Sequence, residues 1–257
     1  MNDEFFLSVV HRAVKRLTIR PHALVRQAEF RHYGAAVNFV LVPVKALAEG
    51  KTRLSPMLSE AARRAVSRAM LTDVVSSVLQ VPAVDRVAVV SSDPSLLALA
   101  RGLGALAVDE GWPRGLNGAT SLGTDFCVRH GATTLLVLLS DLPLIQPRDI
   151  ARLFAQLSGR PEILLVRCKY GDGTNAFLRV PPLVMQPCFG GPSLAAHQKA
   201  ARQQGIACRV VEAPSIRFDL DSVEDLKQCA HQRLAPHTAR VLREYGVFGA
   251  DRKPPPV

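Results

Sequence analysis

The stretch TTLLVLLSDLPL, residues 133–144, holds the most hydrophobic run of the chain and places a carboxylate, Asp141, directly behind it. The continuous apolar run predicts a β-strand over 133–140 that is buried on both faces. Asp141 could be an ordinary turn residue, because aspartate is common in turns near a proline such as Pro143. Alternatively, the strand holds this carboxylate where a metal ion binds. The rest of the sequence has to discriminate between these interpretations.

Short apolar runs alternate with helical patterns on both sides of this stretch. Strands are predicted at 38–44, 86–92, 105–108 and 162–168, and helices at 59–80, 93–104, 116–131 and 147–158. This alternation predicts an α/β fold in which helices cover both faces of a mainly parallel sheet, a three-layer αβα sandwich. Ligands of such sheets bind beyond the carboxyl ends of the strands. Lys45, Asp93 and Asp141 each stand at such an end.

The bulk composition argues against several classes of protein. Of 257 residues, 48% are hydrophobic and 21% are charged, and no apolar run reaches the roughly 18–20 residues that span a bilayer. The net charge of +10 comes largely from the two tails, and no basic stripe with interleaved aromatic residues occurs. Five cysteines without a C-x-x-C pair argue against a disulfide framework and a zinc site. We therefore expect a cytoplasmic protein with no nucleic-acid and no membrane partner.

Two glycine motifs look like nucleotide fingerprints but fail on position. KALAEGKT (45–52) ends like a P-loop, yet Lys45 replaces its first glycine, and Pro56 falls where the following helix should be hydrogen bonded. GLGALA (102–107) ends a helix, whereas the dinucleotide fingerprint opens one. The first segment still supplies three cations, Lys45, Lys51 and Arg53, in a loop after a strand. Such a cluster is typical of a triphosphate site, although solvated surface cations would look the same.

Three further segments carry polar groups that a phosphorylated ligand could use. GLNGA (115–119) opens a helix whose free N–H groups, with Asn117, could hold a base or sugar, although a plain helix cap is as good an interpretation. DGTNAF (172–177) and FGGPS (189–193) combine glycines with hydroxyls that can donate to phosphate oxygens. DLDSVED (219–225) places two carboxylates on one face if it is extended. Asp221 could merely cap the helix predicted at 222–230, so we favour Asp219 as a functional group.

The motifs VPVK, GKTRL, GLN, LLSDLP, DGTN, FGGPS and DLDSVEDL follow one another over roughly residues 38–230. This series resembles the 2-phospho-L-lactate guanylyltransferase family of coenzyme F-420 biosynthesis, a branch of the MobA-like nucleotidyltransferases that includes phosphoenolpyruvate and 3-phospho-D-glycerate enzymes. The resemblance implies a Rossmann-like, GT-A-like nucleotidyltransferase fold. It also implies a reaction in which a small phosphorylated acid attacks the α-phosphorus of GTP and pyrophosphate leaves.

The resemblance assigns roles to individual residues of this chain. It implies that Asp141 binds Mg²⁺, together with Asp219 or Asp221, and that Lys45 acts in catalysis as a phosphate contact. It implies contacts to the phosphate of the acid from Thr174, Gly190 and Ser193. The expected nucleotide contacts are Lys45, Lys51, Arg53, Asp93, Gly115, Leu116 and Asn117. Because the attacking phosphate is already anionic, no general base is required, which agrees with the lack of a Ser-His-Asp or Cys-His constellation.

The resemblance also guides the expected organisation and partners. We divide the chain into a basic N-terminal extension (1–36), a catalytic domain (37–230), and a C-terminal helix and tail (231–257). The extension could form a basic amphipathic helix, for which docking onto protein, or disorder, is favoured over membrane binding. We expect a homodimer and a downstream transferase that captures the product.

The choice of acid remains open between 3-phospho-D-glycerate and phosphoenolpyruvate. The chain has 25 Arg against 7 Lys, which favours a bacterial member over an archaeal enzyme for 2-phospho-L-lactate. The alternatives are a cytidylyltransferase or a molybdopterin nucleotidyltransferase on the same fold, or a non-catalytic GTP-binding protein.

Overall fold

A computed structural model describes residues 36–47 and 51–247. Its strands are β1 (Asn38–Pro43), β2 (Arg86–Ser91), β3 (Leu106–Asp109), β4 (Thr134–Leu138), β5 (Glu162–Arg167), β6 (Thr174–Val180) and β7 (Ala207–Val210). They form one sheet in the order β3-β2-β1-β4-β6-β5-β7. β6 runs antiparallel to both of its neighbours, and the other pairs are parallel. The mainly parallel sheet predicted from the sequence is therefore confirmed.

Helices cover both faces of the sheet. They are α1 (Glu60–Leu79), α2 (Pro94–Gly102), α3 (Gly115–Arg129), α4 (Pro147–Ala155), α5 (Ser193–Gln203), α6 (Pro214–Arg217), α7 (Val223–Cys229) and α8 (Pro236–Glu244), with a 3₁₀ turn at Thr52–Leu54. Neighbouring residues of one strand belong to different cores: Leu136 packs with α1, α2 and α4, whereas Leu135 packs with α3 and α5. This alternation establishes the three-layer sandwich.

Helix α3 lies unusually close to β1. A Cβ atom added at Gly123 would lie 2.6 Å from the side chain of Leu41, so only glycine fits at this contact without displacement of that buried side chain. The close approach brings the start of α3 against the carboxyl ends of β1 and β2, where the predicted site lies.

A third apolar cluster joins the C-terminal helix to α1. Val241 and Leu242 of α8 pack with Val66 and Met70 of α1. The buried carboxylate of Asp73 accepts hydrogen bonds from the backbone N–H groups at the start of α8, at 2.7 Å from the nitrogen of Thr238. The predicted C-terminal helix thus packs on the core, up to residue 247.

The predicted strands and helices before residue 170 are all present, with ends that differ by at most three residues. Strand β6 was missed. It contains Arg179, which reads as a surface residue but is 1% exposed, because its guanidinium donates to Met185 O and Thr124 Oγ1 at 2.9 Å each. Burial lowers the pKa of this arginine to about 10.

Two other expectations concern the ends of the chain and of helix α7. The predicted amphipathic helix in 1–36 lies outside the described residues. The suggestion that Asp221 caps α7 is wrong: Ser222 is the cap, and it forms a reciprocal capping box with Asp225.

Among the described residues, no helix is long and apolar enough to cross a membrane.

Candidate active site

A cleft of about 540 Å³ opens at the carboxyl ends of β1, β2, β3 and β4. Among its lining residues are seven of the predicted site residues: Lys45, Lys51, Arg53, Gly115, Leu116, Asp141 and Asp221. The cleft is also lined by Ser92, Glu110 and Ser140, which the sequence did not single out. The topological rule that places ligands at strand ends therefore locates the cleft correctly.

The centre of the site is an ammonium group held between two carboxylates. Lys51 Nζ lies 2.7 Å from Asp141 Oδ2 and 2.7 Å from Asp221 Oδ1. Burial disfavours the charged form of Lys51, but the two carboxylates outweigh burial and raise its pKa. Burial by itself would raise the pKa of Asp221, but the charge of Lys51 outweighs burial and lowers this pKa. Lys51 and Asp221 are therefore both charged at neutral pH.

The backbone fixes the two carboxylates side by side. Asp141 follows β4, and its carbonyl oxygen accepts a 3.0 Å hydrogen bond from Leu220 N, which ties the turn carrying Asp221 to the end of the central strand. Lys51 reaches the pair from a left-handed backbone conformation, with φ of 56°, at the start of the 3₁₀ turn. Residues 90 and 170 positions apart in the sequence thus meet at one point.

This arrangement fits a divalent cation. Asp141 Oδ1 is buried and has no hydrogen-bond partner among the described residues, so a strong acceptor faces no donor. Within 36–47 and 51–247, no group of three or more His, Cys, Asp or Glu is arranged to hold an ion by itself. Mg²⁺ suits such a site, because it binds one or two carboxylates and fills its other positions with phosphate oxygens and water.

A second charged network supports the turn that carries Asp221. Lys169 Nζ lies 3.3 Å from Asp219 Oδ1 and 3.1 Å from Asp225 Oδ1, and it also donates to the carbonyl of Asp219. Asn175 Nδ2 donates to Asp219 Oδ1 at 3.3 Å. Burial and the charge of Asp141 raise the pKa of Asp219, and Lys169 opposes them. No sequence pattern predicted Lys169 or this role of Asn175.

The structure separates the roles of the two C-terminal aspartates. Asp221, not Asp219, shares the Lys51 ammonium with Asp141, while Asp219 is 9% exposed and engaged by Lys169. The preference for Asp219 relied on a capping role for Asp221, and that reason is gone because Ser222 is the cap.

Two of the predicted nucleotide residues already have partners within the protein. The carboxylate of Asp93 accepts from Ser95 N at 2.9 Å and from Leu47 N at 3.1 Å, so it caps α2 and anchors the loop after β1. Asn117 exchanges two hydrogen bonds with the backbone of Phe189, at 2.7 and 2.8 Å. Neither residue is among those that line the cleft.

The predicted acid-binding residues lie on two loops that the protein joins together. Thr174 begins β6, Ser193 begins α5, and both are buried, whereas Gly190 is exposed and has φ of +120°. His197 connects the loops: its Nδ1 lies 3.2 Å from Thr174 Oγ1, and its Nε2 accepts from Cys188 N at 2.9 Å. None of the three predicted residues lines the cleft. Asn175 O accepts from Leu139 N, so Thr174 lies near the end of β4, the strand that precedes Asp141.

Comparison with known proteins identifies the family. Residues 38–249 match the family model described as "Guanylyl transferase CofC like". The chain belongs to this guanylyltransferase family. It is therefore a nucleotidyltransferase, and the resemblance inferred from the motifs is confirmed.

Individual members of the CofC-like family cover most of the chain. A phosphoenolpyruvate guanylyltransferase of Rubrobacter xylanophilus is 41% identical over 189 residues, covering 73% of this chain and 91% of that protein. One of Conexibacter woesei is 35% identical over 194 residues, covering 74% and 85%. A 2-phospho-L-lactate guanylyltransferase of Methanothermobacter thermautotrophicus is 32% identical over 204 residues, covering 79% and 89%.

Solved structures support the fold. A protein of Desulfovibrio desulfuricans G20, described as a nucleotide-diphospho-sugar transferase, superimposes with a TM-score of 0.64 at 14% identity, over 81% of this chain and 95% of that one. Glucosyl-3-phosphoglycerate synthase of Mycobacterium tuberculosis, solved with Mn²⁺ and UDP, gives 0.52 at 14% identity, over 84% and 82%. At these identities the likeness shows the nucleotidyltransferase-type fold alone.

Proposed function

We propose that this protein transfers GMP from GTP to the phosphate of a small phosphorylated three-carbon acid and releases pyrophosphate. The observation that carries the proposal is the Asp141–Lys51–Asp221 group at the strand ends. The group lines the same cleft as the exposed cations Lys45 and Arg53. The related guanylyltransferases, which act on acids of this class by name, support it.

The cations of the cleft suit the triphosphate. Lys45 and Arg53 are exposed at its wall, and neither forms an ion pair with another residue of 36–47 or 51–247. A polyanion entering the cleft meets these two charges before the buried Lys51. They would hold the β- and γ-phosphates, which leave as pyrophosphate.

The carboxylates suit the metal. Asp141 and Asp221 would hold Mg²⁺, which supplies charge neutralisation at the phosphoryl oxygens and the leaving group. A structural neighbour solved with Mn²⁺ supports use of a divalent ion on this fold. Lys51 keeps the two carboxylates close together in spite of their mutual repulsion, and Lys169 holds the turn from which Asp221 projects.

The two joined loops suit the acid. The hydroxyls of Thr174 and Ser193 and the backbone at Gly190 would bind its phosphate and aim one oxygen at the α-phosphorus of GTP. That oxygen forms the new bond while the bond to pyrophosphate breaks, and no proton has to be removed from the nucleophile. The barrier is the approach of two polyanions, which positioning and positive charge lower.

The identity of the acid is tested by competition. Phosphoenolpyruvate is the first candidate, because the bacterial relatives described above carry that name. 3-Phospho-D-glycerate and 2-phospho-L-lactate are the others. The three acids, at equal concentration with GTP and Mg²⁺, are resolved by mass spectrometry of the products. Failure of all three to give pyrophosphate overturns the proposed reaction, whereas a tenfold preference for another acid overturns only the choice of phosphoenolpyruvate.

The metal assignment is tested by matched variants. Asp141→Asn and Asp221→Asn should each lower kcat on the order of a thousandfold, because each removes a charged ligand at the reacting phosphate. Asp219→Asn should cost less, since that carboxylate faces Lys169. Asp125→Asn, an exposed carboxylate without a hydrogen-bond partner among the described residues, is the control for loss of charge. Near wild-type turnover of a folded Asp141→Asn protein would contradict the assignment.

Membership of the family supports two further proposals about context. The product would enter coenzyme F-420 biosynthesis, where a downstream transferase captures it, and the enzyme would act as a homodimer. Light scattering of the full chain tests the second point, and a monomer would refute it without affecting the chemistry.

A further inference from the structure

Glu110 is a cleft residue without an assigned role. It directly follows β3, and its backbone N–H donates to Ser91 O at 3.1 Å, so the edge of the sheet fixes its position. Its carbonyl oxygen accepts hydrogen bonds from Trp112 N at 2.8 Å and from Arg114 Nε at 3.2 Å. The residue is 6% exposed and lines the cleft beside Ser92.

The carboxylate of Glu110 lacks the partners that a buried charge normally has. Its one hydrogen bond within the described residues comes from Arg114 N at 3.4 Å, which is long. Arg114 does not pair with it; its guanidinium lies over the ring of Trp112, 4.0 Å from the centroid. A buried carboxylate without an ion pair is costly unless a ligand supplies donors. Lys45, Lys51 and Arg53 stand in the same cleft without pairing with it.

The position of Glu110 favours the base over the phosphates of a nucleotide as its ligand. β3 and β4 are three strand spacings apart, which puts Glu110 on the order of 14 Å from the metal carboxylates. That span is comparable to an extended nucleoside with its α-phosphate. A nucleotide with its α-phosphate at Asp141 and its other phosphates at the β1 cations would therefore direct its base towards Glu110.

We propose that Glu110 selects guanine, by accepting hydrogen bonds from its N1–H and 2-amino groups. Guanine presents two adjacent donors that match a carboxylate, whereas adenine and cytosine present an acceptor next to their amino group, and uracil presents one donor between two acceptors. Helix α3 supplies the complementary groups: it begins at Gly115 without a side-chain cap, so its first N–H groups are free to donate to guanine O6.

This inference rests on the proposed function, and binding assays separate the two. Calorimetry of the full chain with Mg²⁺ and no acid measures the dissociation constants for GTP, ITP and ATP. ITP keeps the N1–H group but lacks the 2-amino group. Trp112, the single tryptophan of the chain, lies two residues from Glu110 and gives a fluorescence readout of the same titrations. Failure of the acid reaction leaves these affinities unaffected.

The variants are Glu110→Gln, which keeps the shape, and Glu110→Ala, which removes the group, with Asp125→Asn as the charge control. We expect wild type to bind GTP about tenfold more tightly than ITP, as for a hydrogen bond to a charged group. Glu110→Gln should weaken GTP about 10- to 100-fold and bring the GTP/ITP ratio close to one. Thermal melting confirms that the variants are folded.

Three results would overturn the proposal. Equal weakening of GTP, ITP and ATP by Glu110→Gln would show that the carboxylate binds the ribose. Tighter binding of all three would show that it only repels phosphate. The third result is equal affinity of wild type for GTP and ITP, which would show that the 2-amino group is not recognised. If neither nucleotide binds, the guanine site is overturned together with the nucleotide cleft of the proposed function.

Discussion

The proposed acid side and the proposed nucleotide side of the active site differ in how firmly hydrogen bonds hold their side chains in place. On the proposed acid side, His197 connects Thr174 to the backbone of Cys188, and Asn117 of α3 accepts from the backbone of Phe189, next to Gly190. On the nucleotide side, Lys45 and Arg53 are exposed, and Glu110 has one long hydrogen bond. Side chains that hydrogen bonds already hold in place can orient a small ligand with little further loss of conformational entropy. On the nucleotide side, the side chains acquire their partners only when the ligand binds. The small acid offers few groups for recognition, and the nucleotide offers many.

The Lys51 bridge lies where the two sides meet, so its removal should have the largest effect in this group. Lys51→Met keeps the length of the side chain but leaves Asp141 and Asp221 to repel each other. We expect kcat to fall about 100- to 1,000-fold. We also expect Mg²⁺ to raise the melting temperature of the variant more than that of wild type, because the metal no longer competes with an ammonium.

The control for Lys51→Met is Lys227→Met on α7, which removes an exposed lysine whose one ion pair among the described residues is with Glu224. Turnover close to that of the control, or an equal Mg²⁺ shift in Lys51→Met and wild type, would contradict a bridging role at the metal site.

Substitution of His197 tests whether hydrogen bonds hold the acid side in place before the acid binds. Because Cys188 N donates to its Nε2, the ring carries its proton on Nδ1 and donates to Thr174 Oγ1, which leaves the threonine proton free for a phosphate oxygen. His197→Leu should raise the KM for the acid about tenfold and leave the KM for GTP within twofold. His197→Asn retains a group towards Thr174 and should recover part of the loss. Equal changes in both KM values would indicate general unfolding of the site.

The same residue makes stability depend on pH in a defined window. Burial lowers the pKa of His197 to about 4, below the ordinary value near 6.5 of an unfolded chain. The unfolded state therefore binds a proton that the fold excludes, and the free energy of unfolding should fall as the pH drops from about 6.5 to about 4. The contribution is about 3 kcal/mol at most. The free energies of unfolding of wild type and His197→Asn, measured by urea titration at several pH values across this window, should depend on pH with different slopes. The same dependence on pH in both proteins would contradict the assignment.

Much of this site could be predicted from the sequence, because strand ends in a parallel sheet converge whatever lies between them. Asp141 could be placed at such an end, and Lys51 in the loop that follows another strand, by periodicity alone. Asp221 could not be separated from Asp219, since the outcome depended on whether Ser222 or Asp221 capped α7. Lys169 and His197 gave no signal, because their partners lie in distant segments and meet them only after folding. Glu110 was missed because one glutamate behind a four-residue strand looks like surface.

The smallest expected effect concerns the open nucleotide side. Arg53→Ala should raise the KM for GTP about three- to tenfold and change kcat less than twofold, because an exposed cation contributes little to phosphate binding and is screened by salt. Arg101→Ala, which removes an exposed cation at the end of α2, outside the cleft, is the matched control. Steady-state kinetics at low and high ionic strength separate the cases. If Arg53 acts through the open cleft, the difference between the two variants shrinks as salt is added. A loss in kcat that persists at high salt would instead show that Arg53 is held in a fixed position at the reacting phosphates. The two sides would then not differ in how firmly their side chains are held.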